Sequence, residues 1–190
     1  MITNTHILFS KILYESCLKD LNFKLRKYKF MYGNIKPDIF CNHFKDNHTI
    51  KDSINIVEDY SKELIRCKSD IDKFSIKLGV ICHYVCDYFC IYHTEGYVNN
   101  SIFEHISYEK KLHAKVIEMV EKKKIKTGNS LAEKDIVKFV YKMQEKYLNE
   151  KQSLITDINY ALETANAVAE GIIYYSILEN GKINNFEHIS

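Results

Sequence analysis

The sequence predicts an all-α fold, and three observations carry that prediction. Glycine (6) and proline (1) are scarce in 190 residues, which disfavours many short strands joined by tight turns. Apolar residues recur at helical spacing, with a polar face opposite, over several long segments. Ser101 with Glu104, and Ser130 with Glu133, have the spacing of capping boxes, in which both side chains satisfy backbone donors at a helix start.

Taken in order, the periodicity predicts a first helix over residues 5–25. Residues 28–48, which hold the only Pro, read as irregular. Two helices follow over 50–67 and 69–92, and 93–100 reads as a loop between helices. The two capping boxes start helices over 101–124 and 130–148. A last helix runs over 153–178, and Asn180 with Gly181 predicts a left-handed stop after it. With no internal repeat, low-complexity tract or linker, residues 1–190 read as a single compact multi-helix domain. An apolar content of 46% suffices for its core.

A formal net charge of +2 implies no general attraction to nucleic acid or anionic membrane, so any activity must come from a site. No uncharged apolar stretch of about 18 residues occurs, and the N-terminus lacks the pattern of a secretory leader. Both observations predict a cytoplasmic protein. The six cysteines form no CxxC pair. Cys82, Cys86 and Cys90 recur every four residues along one predicted helix, where disulfide geometry is hard to reach. They read as reduced thiols packed like small hydrophobes, with metal binding as the alternative.

The placement of His and acidic residues is more informative. His83 and Asp87 stand four apart in one predicted helix, and His105 and Glu109 four apart in the next. Residues at that spacing share a helix face, so each pair can grip one ion from a rigid support. His93 ends the first of these helices, which makes five candidate ligands between residues 83 and 109. Imidazole with carboxylate suits zinc. The first helix adds His6, and the irregular segment adds Asp38 and His43 within YGNIKPDIFCNHFKD, with His48 a substitute for His43.

This order of motifs resembles the zinc-dependent phospholipase C family, whose fold single-strand-specific zinc nucleases share: a Thr-His opening the first helix, an Asp and a His in an irregular segment, HxxxD with a further His six residues on, then HxxxE. The likeness spans residues 5–109. It implies a cluster of two to three zinc ions. Asp87 would bridge two of them beside His83, and Asp38 with His43 would complete one of those sites. His93, His105 and Glu109 match the ligands of a separate ion. His6 matches the helix-one ligand of the third, which relatives also chelate through the amine and carbonyl of their first residue. Met1, protected from removal by the bulky Ile2, is the candidate for that role here. The spacings from Asp38 to His43 and from His93 to His105 differ from those of the secreted relatives.

The implied chemistry is phosphodiester hydrolysis, in which a zinc-activated water, its pKa lowered towards about 7, attacks phosphorus. Asp38 is the candidate general base as well as a ligand. The resemblance implies either a phospholipid substrate met by peripheral membrane contact or a soluble phosphodiester that needs none. Tyr84, Tyr88, Phe89 and Tyr92 either line an apolar cleft or belong to the core. The additional β domain of the secreted toxins has no room in this chain.

Four readings compete. A phosphohydrolase of the HD type needs a His-Asp dipeptide, which the sequence lacks. A ferritin-like di-iron site needs Glu-x-x-His on two helices, which is also missing. A zinc-stabilised helical scaffold without activity stays open, as does a single-strand nuclease-like phosphodiesterase. Nucleic-acid binding has no strong signal, since the run EKKKIK reads as a solvated helix end.

Overall fold

The computed structural model describes residues 1–16, 18, 23–40, 48–66, 70–97, 101–125 and 132–186. Among these there are seven α-helices and no strand: α1 (Thr3–Ser16), α2 (Lys27–Phe40), α3 (Ile50–Arg66), α4 (Ile71–Asp87), α5 (Ile102–Glu121), α6 (Ile136–Asn149) and α7 (Leu154–Phe186). A 3-10 turn at Ile91–His93 lies between α4 and α5. The all-α expectation is met.

Helix α4 occupies the centre, packed against α1, α2, α3 and α7. It is apolar nearly all round, and from Leu78 to Asp87 every side chain is buried, which is the pattern of a helix enclosed by others. Asp70 starts it by accepting hydrogen bonds from the backbone N–H groups of Asp72 (3.1 Å) and Lys73 (3.2 Å). Around it, α3 buries Ile50, Ile54, Val57, Leu64 and Ile65 along one stripe. Helix α7 brings alanines against α4, where the Cys82 and Cys86 thiols lie 3.9 Å from the carbonyls of Ala165 and Ala161. All three cysteines of the four-residue repeat are free and buried. Tyr84, Tyr88 and Phe89 are core residues as well.

Helices α2 and α4 meet backbone to backbone at Gly33 and Gly79. A methyl group at Gly79 would lie 2.8 Å from the Asn34 nitrogen and 2.9 Å from the Gly33 Cα, and closer still to the Phe30 carbonyl oxygen. Only a hydrogen at each of these positions allows this separation.

The structure corrects several boundaries. Helix α1 ends at Ser16, well short of residue 25. The segment expected to be irregular forms α2, which runs through Pro37. Pro37 falls in the last turn, so its missing N–H costs one hydrogen bond, and the carbonyl its ring approaches belongs to Gly33. The helix over 69–92 breaks after Asp87 into the separate 3-10 turn. Ser101 caps α5 without a side-chain hydrogen bond, so the capping box is not formed there. Ser130 lies outside the described residues, and α6 starts at Asp135, whose side chain accepts from the Lys138 N–H. Helix α7 passes through the expected stop at residues 180 and 181. The Asn180 amide instead donates back to the Ser176 carbonyl at 2.9 Å, which supports continued helix.

Candidate metal centre

The central break after Asp87 and the close approach of α2 gather eight side chains at one end of α4. His6 comes from α1, Asp38 from the last turn of α2, His83 and Asp87 from α4, and His93 from the 3-10 turn. His105 and Glu109 come from α5, and His48 from the turn before α3. Glu109 shares the buried stripe of α5 with Leu112, Val116 and Met119, so an acid stands where periodicity calls for a hydrophobe. His48 adopts φ of 47°, an unusual backbone for a non-glycine residue. Its Nδ1 lies 2.9 Å from Asp87 Oδ2 and 3.1 Å from His83 Nε2. His43 lies outside the described residues, and His48, its sequence alternative, is the imidazole seen beside Asp38 and His83.

Three groups have ligand atoms all within 4.8 Å of one another: His6 with His83 and Asp87, Asp38 with His48 and His83, and Cys90 with His93 and Glu109. His105 joins the third group, its Nε2 lying 3.0 Å from Glu109 Oε1 and 3.3 Å from His93 Nε2. The His93 to Glu109 separation is 2.9 Å. The Met1 amine lies between this set and Asp87, 3.1 Å from both His93 Nε2 and Glu109 Oε1 and donating to Asp87 Oδ1. Four ligands about 2.0–2.1 Å from a tetrahedral zinc stand about 3.3 Å from one another, close to these separations.

Protonation fits a cation as well. The His83 Nδ1–H donates to the Asn34 carbonyl at 2.8 Å, and burial together with neighbouring His6 pushes the ring well below the usual imidazole range. The neutral ring therefore turns the lone pair of Nε2 towards Asp87 Oδ2 at 3.3 Å and Asp38 Oδ1 at 3.7 Å. A lone pair facing two carboxylate oxygens is repulsive unless a cation sits among them. Both nitrogens of His6 and Oδ2 of Asp38 are buried with no hydrogen-bond partner. His6 Nε2 nevertheless lies 3.2 Å from Asp87 Oδ1, a separation that suits two ligands of one ion better than a hydrogen bond.

Burial alone would raise Asp87 and Glu109, but the Met1 ammonium and the surrounding imidazoles outweigh it and hold both carboxyls far below their usual range. Burial likewise opposes charge on the Met1 amine, yet Asp87 and Glu109 overcome it and push the amine up to about 12. Ionised carboxylates and a neutral His83 are the forms that bind metal. The same two carboxylates hold a proton on the Met1 amine, and the amine would have to give that proton up to serve as a ligand.

A cleft of about 380 Å³ opens onto the centre, lined by Met1, Asp38, Ile102, His105, Ile106 and Glu109 among others. Beyond the eight side chains, the Asn34 carbonyl and the glycines at the α2–α4 contact shape the site. No sequence motif marks them, because their roles depend on which helix lies opposite.

A family model described as zinc dependent phospholipase C matches residues 5–154. No curated protein and no solved structure gives a significant match.

Proposed function

Since the chain belongs to the zinc-dependent phospholipase C family, we propose that it is an active phosphodiesterase holding two to three zinc ions and cleaving the glycerol-side P–O bond of a phospholipid. The observation that supports this reading best is the number of converging ligands. A structural zinc needs four, whereas eight buried or half-buried side chains and the Met1 amine meet here.

In this proposal His83, Asp38 and His48 would hold one ion, His6 and Met1 a second, and His93, His105 and Glu109 a third. Asp87, with Oδ1 towards His6 and Oδ2 towards His83 and His48, would be the ligand shared by the first two. Zinc bound there supplies Lewis acidity to the phosphoryl oxygens and to the attacking water. Asp38 lines the cleft, and its Oδ2, without a hydrogen-bond partner, would take the proton of the attacking water as its oxygen bonds to phosphorus and the glycerol-side P–O bond breaks, that proton then passing to the departing glycerol oxygen. The Asn34 carbonyl fixes the proton of His83 on Nδ1 and keeps Nε2 turned inward.

The cleft mouth supports peripheral contact with lipid. Ile102 (52% exposed), Phe103 (81%) and Ile106 (41%) project from the start of α5, and Ile39 (53%) follows Asp38. Ile102 and Ile106 also line the cleft, so an apolar rim borders the metal centre. Among the described residues no helix is long and apolar enough to cross a membrane.

The test is to purify the protein without chelator, count zinc by elemental analysis, and offer it short-chain phosphatidylcholine and single-stranded DNA. Two to three zinc ions with release of diacylglycerol are expected. Failure to retain zinc, even when it is supplied, refutes the metal assignment. Bound zinc with no hydrolysis favours the scaffold, and cleavage of DNA alone favours the nuclease-like reading.

A further inference from the structure

Asp157, in the first turn of α7, is fully buried and lies outside the segment matched by the family. Its carboxylate accepts three hydrogen bonds from three separate segments. Oδ2 accepts from the Ile91 N–H at 3.1 Å and from the Tyr108 hydroxyl at 2.8 Å. Oδ1 accepts from the Tyr147 hydroxyl of α6 at 2.9 Å. One oxygen therefore ties together the two segments that carry the third ligand set. Ile91 opens the 3-10 turn that ends at His93, and Tyr108 precedes Glu109 on α5. The tie also reaches His105 through ring packing, since Tyr108 lies 4.9 Å from Tyr92 and Tyr92 stacks on His105 at 5.4 Å.

We propose that Asp157 is a positioning residue for the metal centre: by holding the His93 turn and α5 on a single carboxylate oxygen, it sets the convergence of His93, His105 and Glu109. This rests on the zinc role proposed for those three residues. The physical need is clear, because their nitrogen and oxygen atoms stand within 2.9–3.3 Å of one another while belonging to two separate elements. A shift of either segment by a few tenths of an ångström spoils a tetrahedral set. The hydrogen bonds of Asp157 go to Ile91, Tyr108 and Tyr147, none of which is a ligand, so its effect is exerted on the frame. Tyr147 provides the internal control, since its hydroxyl binds the same carboxylate from α6, which contributes no ligand.

The experiment compares wild type with Asp157→Asn, Tyr108→Phe and Tyr147→Phe. Zinc affinities are measured by competition with a chromophoric chelator, and the stability of each zinc-free form by urea unfolding. Asp157→Asn and Tyr108→Phe are expected to weaken one class of zinc site about tenfold and leave the others unchanged. Tyr147→Phe is expected to lower stability while zinc affinity stays at the wild-type value. The milder Tyr108→Phe keeps the test decisive should Asp157→Asn not fold. Wild-type affinity in Tyr108→Phe overturns the inference, as do equal losses of affinity in the two tyrosine variants. A wild-type protein that binds no zinc overturns the underlying zinc assignment instead.

Discussion

Replacing Gly79 by alanine tests the mechanical link between the helix packing and the metal centre. The added methyl would stand 2.8 Å from the Asn34 nitrogen and 2.9 Å from the Gly33 Cα, and ordinary contact begins at 3.4 Å. These neighbours are backbone atoms, so no side chain can rotate away, and α2 must retreat by something on the order of 1 Å. Such overpacking costs about 1–3 kcal/mol. Alanine in place of glycine in a helix returns up to about 1 kcal/mol, so the net loss of stability is modest. The larger effect falls on the site. The Asn34 carbonyl now accepts from His83 Nδ1 at 2.8 Å, and a retreat of that size breaks the bond. Asp38, near the end of α2, moves away from His83 with it. Loss of a partner that orients a ligand imidazole costs about 10–100-fold in metal affinity. Chelator competition on Gly79→Ala should therefore show a loss of at least about tenfold at one site, with the stability of the zinc-free protein in urea lowered by about 2 kcal/mol. Wild-type zinc affinity in a folded Gly79→Ala protein would refute the idea that the α2–α4 contact sets the geometry of His83.

Three further outcomes are expected. Asp87→Asn should remove hydrolysis and lower zinc content by more than one ion, whereas Glu109→Gln should remove one; equal losses by elemental analysis would show that Asp87 does not bridge. Residues added ahead of Met1 convert its amine into an amide that cannot supply the same ligand, so zinc content should drop by one with a matching fall in rate, and unchanged values would rule the amine out. Phe103→Ala removes the most exposed aromatic of the rim and should lower hydrolysis of phosphatidylcholine vesicles about tenfold, from lost apolar burial of about 1.5 kcal/mol. Its rate on a monomeric short-chain substrate should stay at the wild-type value, and an equal fall on both substrates would refute interfacial contact.

Parts of the centre could be read directly because they are local. His83 with Asp87, and His105 with Glu109, share helix faces at a spacing that any α-helix enforces, and the structure turns both pairs inward. Asp38 belongs to a segment that the sequence marks as irregular, yet it is presented by a helix. Proline argues against helix in the interior, but Pro37 stands in the last turn, where little of the helix remains to be disrupted. The place of His48 depends on where the chain re-enters the core before α3, and spacing does not contain that. One acid in the first turn of a helix has the local appearance of a partner for the helix dipole, which hides Asp157. Its helical register with Leu154, Ala161 and Ala165, which places it on an apolar face, is the sequence signal that marks it.

What the sequence determined by itself was the class of fold, its membership of a zinc-dependent family, and the pairs of ligands that one helix turn brings together. These follow from backbone periodicity and residue chemistry, both short-range. The tertiary structure alone decided that residues as distant as Met1 and Asp87, 86 positions apart, share one buried cluster. It also brought His48 beside Asp38 and His83, and a carboxylate on α7 into hydrogen bonds with α5 and the 3-10 turn. The physical reason is that convergence depends on how closely helices can approach. Here two glycines set that distance for α2 and α4, and their effect exists only once the helices are packed together.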